Sequence, residues 1–280
     1  MSAGSPAPAP VVEAEGVGMR FGEGRPLFRG VSFAVRPGEV FVILGGSGCG
    51  KSTLLKLLVG LFPPTEGRVR LMGADLGESE GEARRGLLRR LGVMWQSGAL
   101  FGSMTLLENV MLPLEAHTRL PRAARADAAR VKLGLVGLAD AADRLPAEIS
   151  GGMAKRAGIA RAMALDPPVL FLDEPSAGLD PITSAGLDDL IRDLARDLGT
   201  TFVVVTHELQ SILAIGDRCV MLDKAAGGVI AEGDPRALRD DPPGDTVRRF
   251  FRREAEAPAG GDPASSAAPA LAPVRAQAAA

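Results

Sequence analysis

Cysteine and histidine are scarce in this chain, and tyrosine is absent. Cys49 and Cys219 are the only thiols and His117 and His207 the only imidazoles among 280 residues. Two lone cysteines cannot make a disulfide framework, and four Cys/His residues are too few for a zinc cluster, so a reducing compartment is expected. Excess charge is missing too: 32 basic against 34 acidic residues leave −2. That balance gives no global basic footprint, and no nucleic-acid partner is expected. Apolar runs such as Val40 to Leu44 and Val169 to Leu172 have strand length, far below the roughly 18 residues that span a bilayer. The N-terminus lacks a basic stretch followed by an apolar one, so no signal peptide is expected and the chain is placed in the cytosol.

What is present is a large apolar fraction, 46%, ample for a buried core. Residues 1–10 are small residues and proline, and from Glu254 onward an alanine-rich stretch is broken by Pro258, Pro263, Pro269 and Pro273. Neither can fill a core, and both are expected to be disordered tails around a folded region of residues 11–253. Within it, β-rich runs (Val40 to Leu44, Val69 to Leu71, Val93 to Trp95, Val169 to Leu172, Phe202 to Val205) alternate with helix-like segments, which predicts an α/β fold with a mostly parallel sheet. Between about 97 and 165 no strand is predicted. The spacing of Val131, Leu135 and Leu138 and the run Met153 to Leu165 read as helices, hence a helical subdomain. The segment Val11 to Val35, with Val31, Phe33 and Val35 on one side, suits an antiparallel flap.

Chemistry first becomes specific at Gly45-Gly46-Ser47-Gly48-Cys49-Gly50-Lys51-Ser52. It fits G-x-x-x-x-G-K-[ST], follows a predicted strand and opens a predicted helix at Ser52 to Val59. Glycines let successive backbone N–H groups turn inward toward phosphate, and the helix N-terminus adds positive potential. Lys51 is expected on the β- and γ-phosphates and Ser52 on Mg²⁺, with Thr53 completing the binding turn. Cys49 is read as a small residue whose backbone matters. A second signal is the strand Val169 to Leu172 ending in Asp173-Glu174, the form a buried parallel strand takes where it opens on an active site. Asp173 is expected to hold Mg²⁺ through water and Glu174 to polarise the water that attacks the γ-phosphate.

Ser150-Gly151-Gly152-Met153, upstream of this pair, and Ser176 to Asp180, just after it, complete an ordered set that resembles the ATP-binding-cassette (ABC) ATPases, a P-loop NTPase fold. The resemblance covers about residues 11–235. It implies that Ser150, Gly151 and Gly152 form the signature that contacts the γ-phosphate held by another subunit. Gln96 matches the Q-loop that senses Mg²⁺ and passes movement to a membrane partner. Asp180 falls in the D-loop across the dimer interface, His207 is the switch histidine, and Phe21 is the aromatic that stacks on adenine, although a ring at that position could equally belong to the core. His207 stands just past a predicted strand, 33 residues after Glu174, where an imidazole can orient the water. His117 has no such context and is read as a surface residue.

Two departures narrow the resemblance. Met153 stands where most cassettes have Gln, and Ala177-Gly178-Leu179-Asp180 replaces the commoner Ser-Ala-Leu-Asp. Met153, the stretches Trp95 to Phe101 and Leu112 to Pro121, Asp180 to Thr183, and a C-terminal helix at about 243–253 containing Val247 to Phe251 are similar to the Mla-type branch. That branch comprises ATPase subunits of bacterial lipid transporters that work with MCE-domain proteins. The resemblance implies ATP and Mg²⁺ as cofactors and a head-to-tail homodimer, since one chain carries one phosphate loop and one signature. It also implies an integral membrane permease, an MCE-domain lipid-binding protein, and a place on the cytoplasmic face of the inner membrane. Leu100, Phe101, Met104 and Leu106 are candidates for permease contact, with core packing an equal alternative. Transport of another solute, or a soluble cassette ATPase serving cluster assembly or acting on nucleic acid, is the competing reading.

Overall fold

A computed structural model describes residues 8–254; the tails expected to be disordered lie almost wholly outside them. In chain order the first half runs β1 (Val12–Met19), β2 (Phe28–Val35), β3 (Val40–Gly45), α1 (Lys51–Leu58), β4 (Glu66–Leu71), β5 (Ala74–Asp75), α2 (Gly81–Leu88) and β6 (Leu91–Met94). Three helices follow, α3 (Leu106–His117), α4 (Arg122–Leu135) and α5 (Gly151–Ala162), with two short 3₁₀ turns between α4 and α5. The chain then returns to the sheet through β7 (Val169–Asp173), α6 (Pro181–Leu198), β8 (Thr201–Val205), α7 (Leu209–Ile215), β9 (Arg218–Asp223) and β10 (Gly228–Gly233). It closes with α8 (Pro235–Asp240) and α9 (Asp245–Arg252).

Two sheets form. The antiparallel flap has the order β2-β1-β4-β5 and the main sheet the order β10-β9-β3-β8-β7-β6, parallel except for the β10 edge. The α/β fold with a mostly parallel sheet and an antiparallel flap is therefore as expected, with differences in detail. Val69 to Leu71 belongs to β4 in the flap, because it pairs antiparallel with β1. Trp95 lies past the end of β6. β9 and β10 were not among the predicted strands, although Cys219 to Leu222 is a continuous buried apolar run.

The main sheet is buried on both faces, and the alternation of each strand sorts its side chains between layers. On β3, Phe41 and Ile43 join α1 and the flap, while Val42 and Leu44 join Ile212, Leu238, Val247 and Phe251 from α7, α8 and α9. On β7, Phe171 faces the flap side and Leu170 and Leu172 face the helical segment and α6. These layers hold the strand ends rigidly, and register does the rest. Asp173 lies opposite Val205 and Val205 opposite Ile43, so β7, β8 and β3 release their loops along one sheet edge.

The helical segment packs differently from the expected stripe. α4 turns Ala129 and Leu133 inward, followed by Val136, whereas Val131 is 61% exposed and Leu135 also faces solvent. The spacing 129, 133, 136 is the true i, i+4, i+7 face; Leu138 is buried from the loop beyond the helix. Asn109, wholly buried on α3, clamps the loop before it: Oδ1 accepts from Phe101 N at 2.8 Å and Nδ2 donates to the carbonyls of Phe101, Met104 and Thr105 at 3.0–3.1 Å. Thr105 and Glu108 add a reciprocal capping box.

Candidate nucleotide site

The loop between β3 and α1 owes its path to glycine. Gly45 has φ +147° and a Cβ there would sit 2.3 Å from Leu222 O; Gly50 has φ +101° and a Cβ there would meet the Phe28 ring at 2.8 Å. Neither position accepts a side chain, so the loop must pass close to β9 and β2 before opening α1. Lys51 folds back over it, donating to Gly45 O at 2.9 Å and Gly46 O at 3.1 Å. An ammonium held only by two loop carbonyls is ready to exchange them for phosphate oxygens. The Cys49 thiol is buried beneath the loop, and burial pushes its pKa up, away from thiolate chemistry.

Across the sheet edge, Asp173 ends β7 with Oδ1 3.4 Å from Ser52 Oγ. Burial, then the neighbouring Glu174 carboxylate, push the Asp173 pKa up; Ser52, Lys56 and Lys51 only partly offset them. A carboxylate and a hydroxyl with unmet need for positive charge form a hard oxygen donor set suited to Mg²⁺. Glu174 follows in the left-handed region, φ +48°, its N–H donating to Val205 O at 2.8 Å. That strained turn carries its carboxylate to His207, with Oε1 2.8 Å from Nδ1. The other oxygen, Oε2, is buried without a partner. A buried carboxylate oxygen with nothing to accept from is costly, and it marks where a water or hydroxyl would be bound.

A cleft of about 760 Å³ is lined by Gly45, Gly46, Ser47, Gly48, Gly50, Lys51, Ser52, Thr53, Gln96, Glu174 and His207, with Cys49 and Asp173 buried behind its wall. Others of the predicted set stand apart from it. Phe21 is 60% exposed in the β1–β2 connection and does not line the cleft. Ser150 caps α5, accepting from Met153 N at 3.2 Å, and Asp180 caps α6, accepting from Ile182 N and Thr183 N at 3.1 Å. Gly151 lies against Leu179, and a Cβ on Gly152 would meet the Thr183 methyl at 2.4 Å. The signature and the Asp180 segment therefore pack on each other, and neither reaches the cleft of its own chain.

Known proteins of similar sequence and fold assign the family. A family profile described as "ABC transporter" matches residues 28–177. This chain belongs to the ABC transporter family. Its activity is ATP hydrolysis coupled to transport, and it binds ATP. The chain is 42% identical to the methionine import ATP-binding protein MetN of Caulobacter vibrioides over 83% of this chain and 69% of that one. It is 39% identical to the intermembrane phospholipid transport system ATP-binding protein MlaF of Escherichia coli K12, covering 84% and 86%. Among solved structures it matches the dimeric cassette MJ0796 in a post-hydrolysis state bound to ADP and Pi, with TM-score 0.72, 31% identity, and 80% and 99% coverage. The ABC ATPase branch resembled in the sequence, that of MlaF, is thus among its relatives.

The structure adds residues to the cassette that no motif announced. Leu27, Leu209, Phe250 and Arg253 also line the cleft, the last two brought there by α9. Lys155, 7% exposed on α5, donates to the carbonyls of Gln96 and Glu174. A lysine in a helix of small residues was the only available signal for it.

Proposed function

We propose that this ABC ATPase powers a bacterial lipid transporter as a head-to-tail homodimer seated under an integral permease, with an MCE-domain protein as the lipid-binding partner. The observation that carries the dimer is the separation just described. The cleft is lined by the phosphate loop, Glu174 and His207, with Asp173 behind Ser52, while Ser150 to Gly152 and Asp180 lie together on a face away from it. A second copy, turned end to end, supplies its signature face to the first copy's cleft.

In such a site Lys51 and the loop N–H groups bind the phosphates. Ser52 and Asp173, with Gln96 at the cleft wall, would hold Mg²⁺, which neutralises phosphate charge. Glu174 Oε2 accepts a hydrogen bond from the attacking water, aligning it on the γ-phosphate and taking its proton; His207, bonded to Oε1, fixes the carboxylate's rotation. The Ser150 hydroxyl and the α5 N-terminus of the partner meet the γ-phosphate from the other side. ATP thereby staples the two subunits, and loss of the γ-phosphate releases them. Phe21 does not line the cleft of the single chain but is 60% exposed on the β1–β2 connection, and it is the side chain assigned to the adenine face.

Among the described residues no helix is long and apolar enough to cross a membrane, so the stroke must reach another polypeptide, and the cytoplasmic face of the inner membrane is the place assigned to it. Phe101 is 55% exposed beyond the Q-loop and suits permease contact, with Leu100 and Met104 half-buried beside it; Leu106 is fully buried and is core. Met153 and the MlaF likeness support a lipid cargo. The MetN likeness favours a second reading, an amino-acid importer. Affinity purification of the tagged chain from detergent-solubilised membranes decides between them. Co-purification of a multi-span permease with an MCE-domain protein is expected, whereas a permease with a solute-binding protein supports the second reading. Recovery with ribosomes or DNA from the soluble fraction refutes both.

A further inference from the structure

Lys155 is a buried cation with an unusual set of partners. Its ammonium donates to the backbone carbonyls of Gln96 and Glu174, the latter at 3.1 Å, and no carboxylate lies within ion-pair distance of it among the described residues. It sits one turn inside α5, the helix that Ser150 caps and whose first residues are Gly151 and Gly152. We infer that Lys155 is a positioning residue: it ties the signature helix to the Q-loop and to the turn that aims the Glu174 carboxylate, so that movement of α5 moves both.

The geometry supports this in three ways. Glu174 holds a left-handed φ that a non-glycine residue keeps only when its surroundings enforce it. Its N–H is fixed by Val205 O, and its carbonyl by Lys155 at 3.1 Å together with the Ala177 N–H at 3.3 Å. Gln96 has an exposed side chain, and its backbone bond to Lys155 couples it to α5 beside the bonds that Arg161, on the same helix, donates to the Gly98 and Ala99 carbonyls at 2.8 and 2.7 Å. Burial alone pushes the Lys155 pKa down, with Glu174 and Asp173 pulling it back up. A cation placed there at such a cost, where a methionine would fill the space, fits a link between segments better than packing.

This inference rests on the proposed roles of Glu174 and of the dimer. The test measures kcat, KM for ATP and the Hill coefficient of purified Lys155→Met and Lys155→Arg proteins, with melting temperatures as a folding control. Lys155→Met is expected to lose about ten- to a hundredfold in kcat, the scale of a misplaced catalytic group. Its KM should change less than about twofold, because the phosphate loop is untouched, and its Hill coefficient should fall toward that of independent sites. Lys155→Arg, which keeps charge and donors, should recover most of kcat. Unchanged kcat in Lys155→Met overturns the inference, as does a rise in KM matching the fall in kcat. Equal loss in Lys155→Arg with a wild-type melting temperature overturns it too. Glu174→Gln separates the two levels: if that variant still turns over ATP, the Glu174 assignment fails; if it is dead while Lys155→Met is wild-type, only the role of Lys155 fails.

Discussion

Replacing Asp188 by Asn removes a charge the fold has little means to hold. Asp188 lies on the inner side of α6, 5% exposed, facing α7 and the polar pair Ser176–Ser211, whose hydroxyls are 3.3 Å apart. Its Oδ1 has no partner. Burial is the main cause that raises its pKa from 3.8 to about 6; the Ser211 hydroxyl and Arg192 oppose it only weakly, and Asp189 and Glu208 add to it. A carboxyl whose folded pKa exceeds its unfolded one binds its proton more tightly when folded. Stability is therefore lost as pH rises from about 4 to about 6, and the full cost is present above that window. A shift of this size corresponds to about 3 kcal/mol, an upper figure because an amide keeps its own unmet hydrogen bonds. For a chain of this length that is on the order of 5–10 °C in melting temperature. Thermal unfolding of Asp188→Asn beside the parent is expected to show the full gain at pH 8 and only about a third of it at pH 4.5. A destabilised variant at pH 8, or the same gain at both pH values, refutes the reasoning.

Other consequences are as direct. Asn109→Ala removes the amide that bridges the loop and leaves Phe101 N–H and the Met104 carbonyl without a partner, while the Phe101 and Thr105 carbonyls keep backbone donors; a loss of about 2–4 kcal/mol in urea unfolding is expected, with faster amide exchange in residues 101–105. Lys51→Ala removes the cation over the phosphate loop and should abolish tight ATP binding in a fluorescence titration; undiminished affinity contradicts the phosphate-loop reading.

What could be read in the sequence was local. The phosphate loop, the strand ending in Asp173-Glu174 and the signature are contiguous stretches whose chemistry requires their spacing, and the helical run after Ser97 shows itself by missing strand signals. What escaped depended on distance or on context. Lys155 meets Gln96 across 59 residues and Glu174 across 19, so no local pattern announces it. Val131 and Leu135 have helical spacing but sit on the outer face, because apolar identity alone does not say which of two stripes turns inward; Ala129, Leu133 and Val136 do. Phe250 and Arg253 reach the cleft only because β9, β10 and α8 carry the chain back past the phosphate loop. Cys219 to Leu222 looked no different from other apolar runs, yet it pairs parallel with β3 and forms the wall against which Gly45 must lie.

The central claim is that Glu174, with its free Oε2 and its bond to His207, activates water over ATP held between two copies of this chain. Steady-state ATPase turnover and light scattering with ATP on Glu174→Gln test it together. Turnover is expected to fall by about a thousandfold or more, with ATP still bound and a stable dimer accumulating. Turnover near that of the parent chain, or a variant that binds ATP and stays monomeric, would contradict it.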